Sequence, residues 1–282
     1  MDNTQGKIAT KSTGETFQTL CRLLEQEKKV FYSRFGDGDI YIMMGLSQQN
    51  HDFHPELQKE MVESFEINDP AYLKGLAVNY PAERGMYKGF MKPYRKNDRM
   101  LKFLLDRFGY EDKMVFESAW FTHYYSIYKY RDMISFLDRF IRPKKKLFIG
   151  CIPKHDIEKL IGPVDYYVEV PSRNSYREID QWWEKVMEAV DKVEVVIPAA
   201  GMSTRVINKR LWKLGKEIHS IDLGSIVDTV SGKRTRRWIR LKSHVMHRIL
   251  LPPHNQKSTG FKMKAFFKEI KFYLSCAIAE LK

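Results

Sequence analysis

Between residues 146 and 222 the chain alternates short apolar runs with amphipathic stretches. This alternation restricts the possible folds more than any other feature. Lys146-Leu147-Phe148-Ile149-Gly150 reads as a buried strand and residues 153–161 as a short helix. Residues 166–170 read as a strand ending at Pro171, and Ser175-Tyr176-Arg177-Glu178 as a capping box opening a helix through about Val190. A buried strand over 193–197, a helix over 203–214 closed by Gly215 and a strand over 217–222 complete the series. Strands joined through helices by short connections imply parallel pairing, with helices over both faces. The expected fold class is therefore α/β: a Rossmann-like, mostly parallel sheet.

The first half is less regular. Phe17, Leu20, Cys21 and Leu24 recur at i, i+3, i+4 and i+7, which predicts a helix over 16–28. A strand follows through Val30-Phe31-Tyr32, while residues 40–44 suit either a helix or a continuing strand. Pro55 marks a helix start, with Leu57, Met61, Val62 and Phe65 at helical spacing. Residues 72–94, rich in Gly, Pro and Tyr without a period, read as loops near a site.

At 282 residues, 43 % of them hydrophobic, the chain is long enough for one large α/β domain or two small ones, and disorder is excluded. No apolar run is long enough to span a membrane, and the polar first residues suggest no secretory signal. Cys21, Cys151 and Cys276, far apart and odd in number, fit neither a disulfide framework nor a zinc site and suit a reducing cytoplasm. The net charge of +13 is concentrated late: residues 231–282 hold 13 Lys/Arg against Glu269 and Glu280. The expected organisation is a catalytic α/β domain over 1–240 and a basic amphipathic tail over 241–282.

Chemistry concentrates at the ends of the expected strands. After Val30-Phe31-Tyr32 comes Ser33-Arg34-Phe35-Gly36-Asp37-Gly38-Asp39. If this segment stays extended, Asp37 and Asp39 point to the same side. Two carboxylates beside Arg34 suit Mg²⁺ or Mn²⁺ holding a phosphorylated substrate; the plainer reading is an Asp-Gly hairpin turn. In parallel sheets ligands bind beyond the carboxyl ends of the strands. Those ends carry Gly150-Cys151-Ile152-Pro153, Pro171-Ser172-Arg173-Asn174, Pro198-Ala199-Ala200-Gly201-Met202-Ser203 and Asp222-Leu223-Gly224-Ser225. The loop at Gly201 and Ser203 leads into a helix N-terminus, which favours phosphate, and Gly201 is expected to leave room for it.

Arg34-Phe35-Gly36-Asp37-Gly38-Asp39 resembles the Arg-Phe/Tyr-Gly-Asp-Gly-Glu stretch of the glycosyltransferases of the GT-D fold, first described as a domain of unknown function. Pro171-Ser172-Arg173-Asn174-Ser175-Tyr176 is similar to a second segment of that family. A third likeness is the strand and loop over 195–201 followed by Ile221-Asp222-Leu223-Gly224. The resemblance covers roughly residues 28–240. It departs at Asp39, where the family has Glu, and at Ser225, where the family often has His. It implies transfer of a sugar from a nucleoside-diphosphate donor, with UDP the leading candidate, to an acceptor hydroxyl of a glycan or lipid-linked acceptor in glycoconjugate synthesis. Under it, Asp37 and Asp39 would hold the metal; Arg34, Ser172, Arg173, Asn174, Gly201, Ser203, Asp222 and Gly224 would bind the donor. Asp228 is the first candidate base and Glu117 the second.

His51, His54, His244, His247 and His254 read as surface groups, since zinc-ligand spacing is absent. Trp182, Trp183 and Trp212 read as core, and His123, Tyr124 and Tyr125 as either core or an acceptor groove. The alternative functions are a Rossmann-like methyltransferase or other nucleotide-binding enzyme, disfavoured because no strand is followed by Gly-x-Gly-x-x-Gly, and a nucleic-acid binder using the basic tail. No base-reading module supports the latter, and no nucleic-acid partner is expected. In the tail, Met263, Phe266, Phe267, Ile270, Leu274, Ala277 and Leu281 form one helical stripe flanked by Lys264, Lys268, Lys271 and Lys282. Such a helix either lies on an anionic membrane surface or packs its stripe on the catalytic domain.

Overall fold

The computed structural model describes residues 8–48, 51–77, 95–109, 115–232 and 237–280. Eight strands form one sheet: β1 (Ala9–Thr10), β2 (Val30–Phe35), β3 (Tyr72–Leu76), β4 (Val115–Ser118), β5 (Lys146–Gly150), β6 (Tyr166–Glu169), β7 (Val195–Ala199) and β8 (His219–Ile221). Their order is β1-β4-β3-β2-β8-β7-β5-β6, and every pairing is parallel. The α/β class read from the alternation is the fold observed.

Side-chain alternation builds two cores, one on each face. Phe31, Phe35, Leu147, Ile149 and Val196 point to one side. There they meet α2 (Asp37–Met43), α3 (Pro55–Glu66), α4 (Arg95–Phe108), α8 (Ile179–Val190) and α9 (Ser203–Lys213) through Ile42, Met61, Leu104, Val186 and Val206. Val30, Tyr32, Phe148, Val195, Ile197 and Ile221 point to the other. They meet α1 (Thr13–Gln26), α5 (Phe121–Tyr128), α6 (Tyr130–Phe140), α7 (Lys154–Ile161) and α10 (Arg237–Met246) through Leu20, Phe121, Phe136, Ile157 and Val245. With helices on both faces, the central strands are apolar at consecutive positions, which is why they read as continuous runs. Trp182 is buried, with Trp183 and Trp212 packed partly against the core.

Three local expectations are overturned. Residues 72–76 are not loop but β3, a central strand paired on both sides; Gly75 lies beneath the Tyr32 ring, too close for a side chain. The rest of that expected loop, 78–94, lies outside the described residues. Residues 37–39 neither extend β2 nor form a hairpin, but open α2. Ser175–Glu178 is a 3-10 turn before α8 and not a capping box. The Ser175 hydroxyl instead donates to the Ala200 carbonyl at 2.9 Å and lies 2.7 Å from Ser203 Oγ, joining two loops at the sheet's end. Residue 240 lies within α10, and Val245, Met246 and Ile249 belong to the core.

The other signals hold with small shifts. Ser12 and Glu15 make the capping box of α1, and Pro55 stands at the start of α3. α3 is fastened to α9 by Glu60 with Arg210 at 2.6 Å and by Glu63 with Lys209 at 2.8 Å. This tie fixes the helix that carries the central arginine of the site. The last helix, α11 (Thr259–Glu280), follows α10 and packs against it. Among the described residues no helix is long and apolar enough to cross a membrane.

Candidate active site

β2 and β8 lie side by side with Val30 opposite His219 and Tyr32 opposite Ile221, so the segments leaving them emerge together. β2 connects onward to β3 on one side, whereas β8 is reached from the β5–β7 half. Ligands of open parallel sheets bind at such seams, beyond the carboxyl ends of the strands. Four charged side chains meet here: Arg34 near the end of β2, Asp39 in the first turn of α2, Arg205 in the first turn of α9, and Asp222 just after β8.

Asp39, Arg205 and Asp222 are only 6 %, 8 % and 4 % exposed. Arg205 Nη2 lies 3.1 Å from Asp39 Oδ2, and its Nη1 lies 3.4 Å from Asp222 Oδ2 and donates to the Gly201 carbonyl at 3.0 Å. Arg34 Nε donates to the Ala119 carbonyl at 2.8 Å, bringing Nη1 to 4.0 Å from Asp222 Oδ1. Gly224 donates its N–H to that same oxygen at 2.8 Å. Gly224 has φ +64°, and a Cβ there would stand 1.2 Å from Arg34 Nη1. Both its backbone and its missing side chain are therefore required for the guanidinium to lie where it does.

The aspartates of the Gly-Asp-Gly-Asp segment differ in environment. Asp39 reaches back to accept from the Gly36 N–H at 2.7 Å, capping α2, while its Oδ1 is buried without a hydrogen-bond partner. Burial pushes its carboxyl up to about 6; Arg205 and the Gly36 N–H pull the other way, and Asp222 and Asp37 add to the rise. Asp37 is exposed and accepts from the Gly38 N–H at 2.9 Å. Helix geometry, unlike a strand, does not stack residues two apart on one face, so the same-face argument drawn from an extended segment does not apply here. Among the described residues no three His, Cys, Asp or Glu side chains are grouped to hold a metal ion. One orphaned buried oxygen and one exposed carboxylate on a single helical turn still fit Mg²⁺ or Mn²⁺. Mg²⁺ takes one or two carboxylates and completes its shell with water and substrate phosphate.

The other expected residues are placed unequally. Gly201 has φ +61°, and a Cβ there would stand 2.5 Å from His51 Nε2. Backbone conformation and a buried histidine thus require glycine here whether or not phosphate approaches. His51 is accordingly no surface group, being 6 % exposed; His247 is buried as well. Ser203 is buried with its hydroxyl against Ser175. Asn174, with φ 50°, exchanges two hydrogen bonds with Asp52 at 2.8 and 2.9 Å, while Ser172 and Arg173 are exposed beyond the edge strand β6. Glu117 is buried on β4 and paired with Lys11 at 2.5 Å; burial raises its carboxyl, against the pull of Lys11. Asp228 lies half-buried in the 3-10 turn Gly224–Thr229.

Two participants went unassigned in the sequence reading. Arg205 carries no motif; its only signal is its position in the first turn of a helix that follows a strand's carboxyl end. His123, left between core and groove, is 1 % exposed, and its Nε2 lies 3.0 Å from Ser225 Oγ. Ser225 stands where the resembled family often has histidine, and α5 brings an imidazole to that hydroxyl from another part of the chain.

No family model matches the chain, and no curated protein matches it in sequence. Three solved structures share its fold. One, described as having a distinct glycosyltransferase fold in the domain of unknown function 1792, is 16 % identical with a TM-score of 0.62, covering 92 % of this chain and 94 % of its own. A second, described as a new glycosyltransferase of that domain family from Streptococcus sanguinis, is 18 % identical with a TM-score of 0.60, covering 91 % and 97 %. The third, a selenomethionine-substituted structure of the same domain, is 18 % identical with a TM-score of 0.60, covering 80 % and 81 %. The chain therefore has the fold of these proteins along nearly its whole length.

Proposed function

We propose that this chain is a glycosyltransferase that moves a sugar from a nucleoside-diphosphate donor, UDP-linked in the first instance, to an acceptor hydroxyl. The observation that carries the reading is the charged quartet of buried Asp39, Arg205 and Asp222 with partly exposed Arg34 at the seam between β2 and β8. Two guanidiniums and two carboxylates balance in charge, so a dianionic ligand entering here meets cations already held in place. Departure of the diphosphate is the demanding step of such a transfer, and preorganised cations are most effective where charge develops. Arg34, fixed through Nε by the Ala119 carbonyl and paired with Asp222 through Nη1 only at 4.0 Å, can turn its terminal nitrogens to the phosphates; Arg205 can exchange a carboxylate for a phosphate oxygen.

Asp37 and Asp39 would hold a divalent ion, which when bound neutralises charge on the leaving diphosphate. The Gly224 N–H orients Asp222, and Asp222 in turn holds both arginines in register. Asp228 is assigned as acceptor base because it lies in the turn that continues from Asp222, whereas Glu117 is already neutralised by Lys11. The acceptor assigned is a glycan or lipid-linked hydroxyl.

The deciding experiment is incubation with a panel of nucleotide-sugars, with and without Mn²⁺, reading nucleotide release. UDP release that needs Mn²⁺ and is lost in an Arg34→Ala chain that keeps the parent's Tm supports the reading. Absence of release from every donor, together with no binding of UDP by calorimetry, overturns it.

A further inference from the structure

Helix α11 is mounted with its apolar side outward. Of the large hydrophobic residues exposed among the described residues, Leu46, Val115 and Leu214 are scattered singly, whereas Met263, Phe266, Phe267, Ile270 and Leu274 all belong to α11. Met263, Phe266, Phe267 and Leu274 are 55–60 % exposed and Ile270 39 %. At about 100° per residue, these five side chains fall within an arc of roughly 100°. The residues that meet the body are on the opposite side. Ala265 is 2 % exposed, Phe261 packs edge-on against His247 with ring centroids 5.1 Å apart, and Glu269 faces Lys242 at 3.8 Å and Arg248 at 3.9 Å. The stripe therefore does not pack on the catalytic domain.

Charge decides what can cover it. Lys264 and Lys271 border the stripe on one flank and Lys262 on the other, with Lys268 further round the helix, all exposed. Glu269, the acid of this helix whose side chain is described, is turned inward toward Lys242 and Arg248. Among the described side chains, a second copy laid against this face would bring lysine rims together with no acid to meet them. A lipid surface with anionic headgroups satisfies both features at once: the aromatic and aliphatic stripe enters the acyl boundary while the lysines stay at headgroup level. Lys242, by contrast, is 2 % exposed and does not reach outward, so the attraction comes from the rims of α11.

We infer that α11 is an interfacial helix that docks this protein, without spanning, on an anionic membrane surface. The placement is independent of the transfer reaction. Taken with the proposed function it assigns the acceptor to a lipid-linked class, since docking holds the catalytic domain at the plane where such acceptors lie.

The test is co-sedimentation of the full chain with vesicles of phosphatidylcholine containing roughly a third phosphatidylglycerol, compared with phosphatidylcholine alone and across ionic strength. The expected result is pelleting with the anionic vesicles that weakens with salt and falls about tenfold or more in Phe266→Glu/Phe267→Glu. A similar fall is expected in Lys264→Glu/Lys268→Glu/Lys271→Glu. These positions are exposed, so circular dichroism and Tm should match the parent and certify the fold. Pelleting that persists in both variants overturns the inference, as does absence of pelleting by the parent. A lipid-free dimer that the phenylalanine variant dissociates would assign the face to a second copy instead and equally overturns it. Nucleotide release from the sugar donor, measured in parallel without vesicles, fails only if the proposed activity fails.

Discussion

Arg205 stands between Asp39 and Asp222, its two terminal nitrogens 3.1 and 3.4 Å from one oxygen of each. A buried cation with two carboxylates is tolerable only because Arg34 supplies a second positive charge on the Asp222 side. Taking one member away leaves its partners charged and desolvated, which costs far more than the intact arrangement contributes.

Arg205→Gln is therefore expected to destabilise the fold by about 3–5 kcal/mol near neutral pH. Asp39→Asn in the same chain should restore a large part of that loss, because it removes the carboxylate left without its cation. Urea unfolding of the two single variants and the double variant measures the coupling. Additive losses would show that Arg205 does not neutralise Asp39.

The raised Asp39 carboxyl gives a pH dependence with a definite sign. Its folded value of about 6 lies above the ordinary 3.8, so its favourable contribution is complete below about pH 4 and is lost as pH rises toward 6. The rise corresponds to on the order of 3 kcal/mol. Measured without divalent ions, Asp39→Asn should gain Tm relative to the parent as pH rises from 4 to about 7, while losing transfer activity. A gap in Tm that is constant across that range would refute the burial argument.

Gly224→Ala should cost both stability and donor binding. Its φ of +64° disfavours any side chain, and the new methyl would occupy the place of Arg34 Nη1. The expected outcome is a lower Tm and UDP affinity reduced about tenfold or more, through displacement of the guanidinium. Unchanged UDP affinity in a folded Gly224→Ala would remove Arg34 from the donor site.

Gly201→Val discriminates between two explanations of a glycine. An open phosphate loop would lose nucleotide affinity with little change in Tm. The observed φ of +61° and the His51 ring 2.5 Å from an added Cβ instead predict a clear loss of Tm. His51→Ala should not restore it fully, because the backbone strain remains. Thermal unfolding of both chains decides.

Asp228→Asn is expected to lower kcat by about 10²–10⁴ with donor affinity retained, the signature of a lost general base. Glu117→Gln should act on stability instead, through its buried pair with Lys11. The reverse pattern would exchange their roles.

The order of short apolar runs and amphipathic helices determined the α/β class and the parallel sheet. These follow from periodicity within about ten residues, which is local and visible. The candidate site was half legible for the same reason: Arg34, Asp37, Asp39, Asp222 and Gly224, gathered around one seam of the sheet, sit at strand ends or in short glycine-marked turns. Local pattern could not distinguish β3 from a loop, since Tyr72-Leu73-Lys74-Gly75-Leu76 acquires strand character only from neighbours on both sides. Nor could it show that Gly-Asp-Gly-Asp opens a helix, because Asp-Gly pairs serve turns and helix starts alike. Arg205 and His123 entered the site only through tertiary structure, α9 delivering one to Asp39 and α5 the other to Ser225. The amphipathic stripe of α11 was likewise written in the sequence, but its outward orientation was decided by Phe261, Ala265 and Glu269 packing on the body. A stripe specifies that something apolar must cover it; only the packing of the opposite face decides whether the protein itself is the cover.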